Sequence, residues 1–382
     1  MTTKKQPKNQ SKKTDNTKKE KPKVMVKTLQ VRVRDKHAKV LREMARNVNQ
    51  VWNFTNELSY RFVREKGQFK TYNELEKYTA GCNKELGLHS QTVQNIVKEY
   101  VTRRKQFKKS KLNWRVSNRD NANYSLGWIP VNTGMAKWKN GQVYYNGHYF
   151  KVWDSYGLSK YKFRNSSFTE DARGRWYFNV TVEINQDQEY ERAKHAQGKV
   201  GLDLGLKDIV ATSDGDKMVE KRFYRQLEQK LSVAQRSRNK KRTRAIHAKI
   251  KNRRKDALHK FSRKLVNQYG EIYVGNVSSK KLIKTRMAKS VHDAGWSSLK
   301  TMLSYKCDNA GTVFKEVNEA NTTLTCSHCG SSSHNAPRGM SGLGIREWSC
   351  SECGVTHDRD INAAKNIFAV GLDRLVEGIP VF

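Results

Sequence analysis

The chain has 382 residues, in which 75 Lys and Arg stand against 36 Asp and Glu for a formal net charge of +39. That length admits two or three domains with a real core, and uncompensated repulsion of that size works against a compact fold, so a polyanionic partner is expected. No apolar run reaches the roughly 20 residues that span a bilayer, and no apolar leader of the secretory kind opens the chain. A cytoplasmic, nucleoid-associated protein with no membrane partner is the expectation.

Residues 1–23 are Lys, Thr, Asn, Gln and Ser with almost no apolar content. Such a basic tail cannot fold alone; it serves either as a solubilising tail or as a loose electrostatic clamp. Val24 to Val33 alternates and predicts a strand. From His37 to Arg64 the residues Val40, Leu41, Met44, Ala45, Val48, Val51 and Trp52 recur at helical spacing, and a second helix is expected over Ser90–Gln106. Between Trp114 and Ile184 aromatic residues, Gly and Asn dominate, with turn signals at Asn140-Gly141 and Asn146-Gly147. An antiparallel barrel or sandwich fits that stretch, with the first strand paired into it and the helices inserted between.

Residues 185–196 form a polar linker. Strands are expected at Val200–Leu204 and near Lys217–Val219, then a basic helical region from Arg222 to Tyr269. Over residues 235–255 its apolar residues are Ala245, Ile246, Ala248 and Ile250, a stripe too thin for a core helix. The rest of its circumference, with Arg236, Arg238, Lys240, Lys241, Arg242, Arg244, Arg253 and Arg254, faces solvent or phosphate, and the nearly uniform sign favours nucleic acid. Further strands are expected at Glu271–Val277 and Thr312–Val317, and a helix from near Asp360.

Three motifs carry chemistry. In Val200-Gly201-Leu202-Asp203-Leu204-Gly205 the apolar side chains share one strand face, and Asp203 stands on the other between two glycines that would admit a bulky ligand such as a phosphodiester. Cys326-x-x-Cys329 and Cys350-x-x-Cys353 supply the four thiolates of a closed structural zinc site; His328 lies inside the first knuckle without being a ligand, and Cys82 and Cys307 are ordinary thiols. In His357-Asp358-Arg359-Asp360-Ile361-Asn362-Ala363-Ala364-Lys365-Asn366-Ile367, a helix starting near Asp360 aligns Asp360, Ala363, Ala364 and Ile367 on one face. The alanines permit close packing on a sheet, which would bring Asp360 beside Asp203; an N-cap role for either aspartate is the structural alternative. Two such carboxylates suit phosphodiester hydrolysis with two divalent ions.

The order GLDLG, basic helical region, CxxC and CxxC, then HDRDINAAKNI resembles the TnpB family of insertion-sequence proteins, which are ancestral to Cas12, over about residues 196–370. The resemblance implies an α/β multidomain fold. Residues 24–35 and 112–195 would form a β-barrel wedge domain and 36–111 a helical recognition lobe. Residues 196–382 would form an RNase H-like (RuvC) nuclease domain containing the basic region 222–270 and a zinc ribbon at 321–357. It further implies a transposon-derived guide RNA, double-stranded target DNA with a short adjacent motif, two Mg²⁺ and one Zn²⁺. Trp52, Asn53 and Asn56 would meet the DNA beside the target, with a plain core role for Trp52 the equal alternative, and the basic helix would hold the RNA–DNA heteroduplex.

Carried over residue by residue, the catalytic aspartates are Asp203 and Asp360. Where the family has its glutamate, Ile272-Tyr273-Val274-Gly275 ends in glycine. The resemblance implies relocation to Glu319, at the neighbouring strand, where some members of the wider family carry their glutamate; the missing side chain of Gly275 leaves room for it. Glu316 points to the opposite face, and Glu271 begins its strand at the wrong end. A nuclease-inactive RNA-guided DNA binder is the main alternative, a strand-transfer transposase a lesser one, and the number of copies on the RNA is open.

Overall fold

The computed structural model describes residues 25–184, 196–219, 222–277, 294–338 and 341–376; the basic tail 1–23 and the linker residues 185–195 lie outside them. The alternation after residue 24 forms strand β1 (Val26–Val33), which buries Leu29, Val31 and Val33. It is followed by helices α1 (Ala38–Lys66), α2 (Tyr72–Glu76), α3 (Cys82–Glu85) and α4 (Ser90–Phe107). Strands β2 (Trp128–Val131), β3 (Lys137–Lys139), β4 (Gln142–Tyr145), β5 (His148–Phe150), β6 (Val152–Trp153), β7 (Phe163–Glu170) and β8 (Trp176–Glu183) come next.

These strands build a five-stranded sheet in the order β2-β7-β8-β1-β6 and a three-stranded sheet β3-β4-β5, all pairs antiparallel. The first strand therefore does pair into the later ones, from Val26 opposite Glu183 to Arg32 opposite Tyr177. Both Asn-Gly pairs turn their hairpins with positive φ at the two central residues, 50° and 68° at Asn140-Gly141 and 47° and 78° at Asn146-Gly147. Turns of that sign match the right-handed strand twist. The helices do not stand apart: Leu41, Val48, Ile96 and Tyr100 share one apolar core with Tyr145, Phe150, Phe168 and Phe178 of the two sheets. Thr92 on α4 sews the layers together, donating to Pro130 O at 3.1 Å and meeting the Tyr145 hydroxyl at 2.6 Å.

The second unit begins with β9 (Gly198–Asp203), β10 (Asp208–Thr212) and β11 (Lys217–Val219), then helices α5 (Arg225–Arg236) and α6 (Lys240–Gln268). After β12 (Tyr269–Gly275) come α7 (Trp296–Ala310), β13 (Val313–Val317), the hairpin β14 (Glu347–Ser349) and β15 (Thr356–Asp358), and α8 (Arg359–Val376). The sheet order is β11-β10-β9-β12-β13, antiparallel through β9 and parallel from β9 to β13. Helices cover both faces. Val200, Leu202, Ile272 and Val274 pack against Leu258, Leu265 and Val266 of α6 and Leu299 and Leu303 of α7. On the other face Tyr273 and Val317 pack against Ile367 and Phe368 of α8.

The thin stripe of the basic region is explained by this arrangement. Ile246 and Ile250, in the N-terminal half of α6, cluster with Phe223, Tyr224 and Leu227 at α5, whereas its C-terminal half carries the residues that reach the sheet. Gly201 differs from the sequence expectation. A side chain there would strike the backbone of Ala364 and Phe368 on α8, so the missing Cβ admits a helix rather than a phosphodiester. Ala363 and Ala364 are buried at 2% and 0% exposure, as close helix-on-sheet packing requires.

Candidate active site and zinc ribbon

Asp203 ends β9 on the face that α8 covers, because strand alternation sends Val200 and Leu202 into the opposite core. Asp360 is the second residue of α8 and is buried at 9% exposure. Asp358 takes the capping role: its Oδ1 accepts from the amides of Asp360 at 3.1 Å and Ile361 at 3.0 Å. Burial opposes the Asp358 charge, but Lys217, 2.6 Å from its Oδ2, and the capped amides hold its pKa below the usual carboxylate range. The Asp360 carboxylate is thereby spared for other work.

Glu319 lies just past the end of β13. A methyl group built on Gly275 would collide with the Glu319 carboxylate, with Glu319 Cβ at 3.3 Å and Ile367 Cδ1 at 3.1 Å. The Glu319 side chain thus lies over Gly275, in the volume a side chain on β12 would fill. Its loop is held by Asn276 N–H donating to Val317 O at 3.0 Å and by the Thr322 hydroxyl donating to Glu319 O at 2.8 Å. Glu316 points to the other face and pairs with Lys300 of α7 at 2.8 Å. Glu271, at the far end of β12, is bound to Lys199 at 3.0 Å and to the Tyr273 hydroxyl.

Asp203 feels the charge of the other two carboxylates. Burial raises the Asp203 pKa to about 7, and the charges of Asp360 and Glu319 add to the rise. Glu319 is also raised by burial, against the pull of Lys300. Arg346, which precedes β14, holds both oxygens of Asp360, at 2.9 and 3.2 Å, and so places a cation at this cluster. Carboxylate oxygens are hard donors of the kind divalent magnesium takes, and such an ion's charge would offset the burial that raises Asp203.

The four cysteines converge as their spacing predicts, with all sulfur atoms within 4.8 Å of one another. Cys326 and Cys353 are 3.7 Å apart, Cys329 and Cys350 3.8 Å. Tetrahedral zinc with bonds of about 2.3 Å needs sulfur separations of about 3.8 Å, so the set fits zinc. Each knuckle closes with a glycine amide donating to its first cysteine, Gly330 to Cys326 O at 2.9 Å and Gly354 to Cys350 O at 3.0 Å. Those glycines have φ of 77° and 72°, the left-handed region that other residues enter at a cost. Hydrogen bonds from the Ser331 hydroxyl and amide lower the Cys329 thiol to about 6. His357 meets this cluster although no spacing pattern marks it, with its Nε2 2.9 Å from Cys326 Sγ.

Among the basic residues, Arg236, Arg238, Lys240, Lys241, Arg242, Arg244 and Arg253 are all exposed, and none has an ion-pair partner among the described residues; Arg254 is half-buried beside Gly295. Asn53 and Asn56 are placed differently from expectation. Asn56 exchanges hydrogen bonds with the backbone of Leu112, at 2.7 and 3.0 Å, and Asn53 does so with Arg115, at 3.0 and 2.8 Å. Both amides therefore bind the segment after α4 like an extra strand and are not free to read a base. Trp52 is buried at 8% exposure, at the back of a groove of about 540 Å³. Trp114, Trp128 and Phe107 wall that groove, with Arg103, Lys109 and Arg115 around them. Trp114 and Phe107 are more than half exposed, which no apolar packing explains.

Comparison with known proteins bears on both units. Residues 179–286 match a family model described as "Probable transposase" (OrfB of IS605), and residues 296–367 match the "Cas12f1-like, TNB domain". A "Putative RNA-guided DNA endonuclease" of Streptomyces pristinaespiralis is 33% identical over 218 residues, covering 53% of this chain and 52% of that protein. The "TnpB-like protein L79" of Acanthamoeba polyphaga mimivirus is 32% identical over 137 residues, covering 34% of this chain and 25% of its own length. The chain thus spans about half or less of these curated relatives' length. A solved Cas12f1 chain, from a complex with guide RNA and target DNA, has a TM-score of 0.56 at 13% identity, covering 90% of this chain and 98% of that one. The fold is accordingly a multidomain α/β fold like that of Cas12f1, and over its second unit the chain is similar to TnpB-like proteins.

Proposed function

We propose that this protein is an RNA-guided DNA endonuclease whose RuvC-type centre uses Asp203, Glu319 and Asp360 with two Mg²⁺. The observation that carries the reading is the Glu319 side chain lying over Gly275, near enough for its charge to act on Asp203. Bound there, the ions would supply the charge that activates water and stabilises the leaving oxygen. Asp203 must give up its proton before an ion can bind it, because its pKa is raised to about 7 by burial and by its two neighbours. Asp360 would exchange its Arg346 contact for metal, and Glu319 would supply from the loop after β13 the oxygen that β12 lacks. The exposed cations of α5 and α6 hold phosphates without reading sequence. The two-sheet unit serves as the wedge and α1–α4 as the recognition lobe, with Trp114 and Phe107 offering stacking surfaces to a base in the groove between them.

Cleavage of supercoiled plasmid by the protein loaded with its guide RNA tests this. Cutting that disappears with Asp203→Ala supports it, and binding without cutting under every guide tried refutes it. Gly275 favours a second reading, an RNA-guided DNA binder that does not cut; in that case Asp203→Ala leaves all measurable behaviour unchanged.

A further inference from the structure

Asp360 and the zinc ribbon are tied together by three side chains that are ligands of neither metal site. His357, three residues before Asp360, is buried at 8% exposure with its ring 5.0 Å from that of Trp348 and its Nε2 2.9 Å from Cys326 Sγ. A ligating thiolate can only accept, so the imidazole N–H donates to it. Two residues beyond Asp360, Asn362 is fully buried. Its side-chain oxygen accepts from Ser327 N–H at 2.8 Å and its amide donates to Thr325 O at 2.8 Å. One turn further, the Asn366 amide donates to Thr322 O and Thr325 O, both at 2.7 Å. Thr325 and Ser327 flank Cys326, so the first knuckle is gripped on both sides of Asp360. Asparagine disfavours helix interiors, and a buried amide is tolerated only when it is bonded. Helix α8 carries two because the knuckle backbone answers them.

We infer that His357, Asn362 and Asn366 are positioning residues through which zinc on Cys326 fixes the first turn of α8, so that zinc occupancy sets how tightly the carboxylates bind a divalent ion. This rests on the reading of Asp360 as a metal ligand. Without zinc the Cys326 loop loses its anchor, and the hydrogen bonds that hold Asn362 and Asn366 lose their fixed partners. Groups that orient metal ligands from behind change affinity by about 10- to 100-fold when removed.

The experiment follows zinc release from the full chain under chelator challenge, and Mn²⁺ binding by the electron paramagnetic signal of the free ion, with Asp203→Asn as background. His357→Ala should release zinc about tenfold faster and bind Mn²⁺ about tenfold more weakly, and His357→Gln, which keeps an N–H, should recover much of both. Asn366→Ala should weaken Mn²⁺ while retaining zinc. If His357→Ala does not fold, the unsubstituted protein is stripped of zinc and freed of chelator; weaker Mn²⁺ binding with unchanged helical circular dichroism supports the coupling. Mn²⁺ affinity indifferent to zinc loss overturns it, as does zinc release unaffected by His357→Ala. Absence of Mn²⁺ binding in the zinc-loaded, unsubstituted protein overturns the assignment of the carboxylates themselves, a different failure.

Discussion

The Glu319 carboxylate occupies the space that Gly275 leaves over β12, so closely that a single methyl group on Gly275 would strike it. Gly275 ends β12 and pairs with Val317, the last residue of the parallel strand β13, and Glu319 follows two residues later in the loop. One strand has lost its side chain and its neighbour has filled the gap.

A small substitution tests that exchange. Gly275→Ala should fold, at a cost of about 1–3 kcal/mol from overpacking against Glu319 and Ile367. It should nonetheless weaken Mn²⁺ binding and cleavage by displacing the carboxylate. Glu319→Ala should lose cleavage, and adding Gly275→Glu to it should restore a measurable part. Thermal unfolding and plasmid cutting on the same preparations separate the two effects.

The proton on Asp203 gives a pH signature. Its folded pKa of about 7 lies above the unfolded value of 3.8, so the stability it contributes is present below 3.8 and is lost as pH rises through 7. In the metal-free protein Asp203→Asn should therefore raise the melting temperature at pH 8 and leave it little changed near pH 3. Divalent-ion affinity should fall as pH drops below 7, approaching roughly tenfold per pH unit while one proton is displaced. Calorimetric titration at several pH values reads this directly.

Arg346 competes with metal for Asp360. Because it holds both carboxylate oxygens, Arg346→Ala should lower the Mn²⁺ concentration needed for half-saturation severalfold in the absence of nucleic acid. Unchanged or weaker binding would show that the contact does not oppose the ion.

For nucleic acid, the exposed residues Arg242, Arg244 and Arg253 of α6 should act as phosphate contacts. Replacing all three with Gln should weaken binding equally across sequences and flatten the dependence of log affinity on log salt by roughly 2 to 3 units. Trp114→Ala should reduce affinity with no loss of stability. Asn56→Ala should do the reverse, destabilising the fold by about 1–3 kcal/mol through the unpaired Leu112 backbone.

Local patterns were legible in the sequence and distant partnerships were not. Alternation located β1, and helical spacing located α1 and α4. The glycine of β12 and the glutamate beyond β13 could be matched because strand register is a short-range rule. The paired CxxC motifs announced their own geometry. Asn53 and Asn56 misled because a polar residue on a helix gives no sign of whether its partner is DNA or a backbone segment more than fifty residues away. Gly201 misled for a related reason: a missing Cβ marks a close approach without naming what approaches, and here it is α8. His357 and Arg346 went unread because their contacts with Cys326 and Asp360 span 31 and 14 residues and follow no repeat.

Guided cleavage of supercoiled plasmid by Glu319→Gln, beside the unsubstituted protein at saturating Mg²⁺, tests the central claim most directly. Gln keeps the shape and removes the charge, so the account predicts a loss of at least about a hundredfold in rate, with RNA and DNA binding intact. Cleavage by Glu319→Gln at the unsubstituted rate would contradict it.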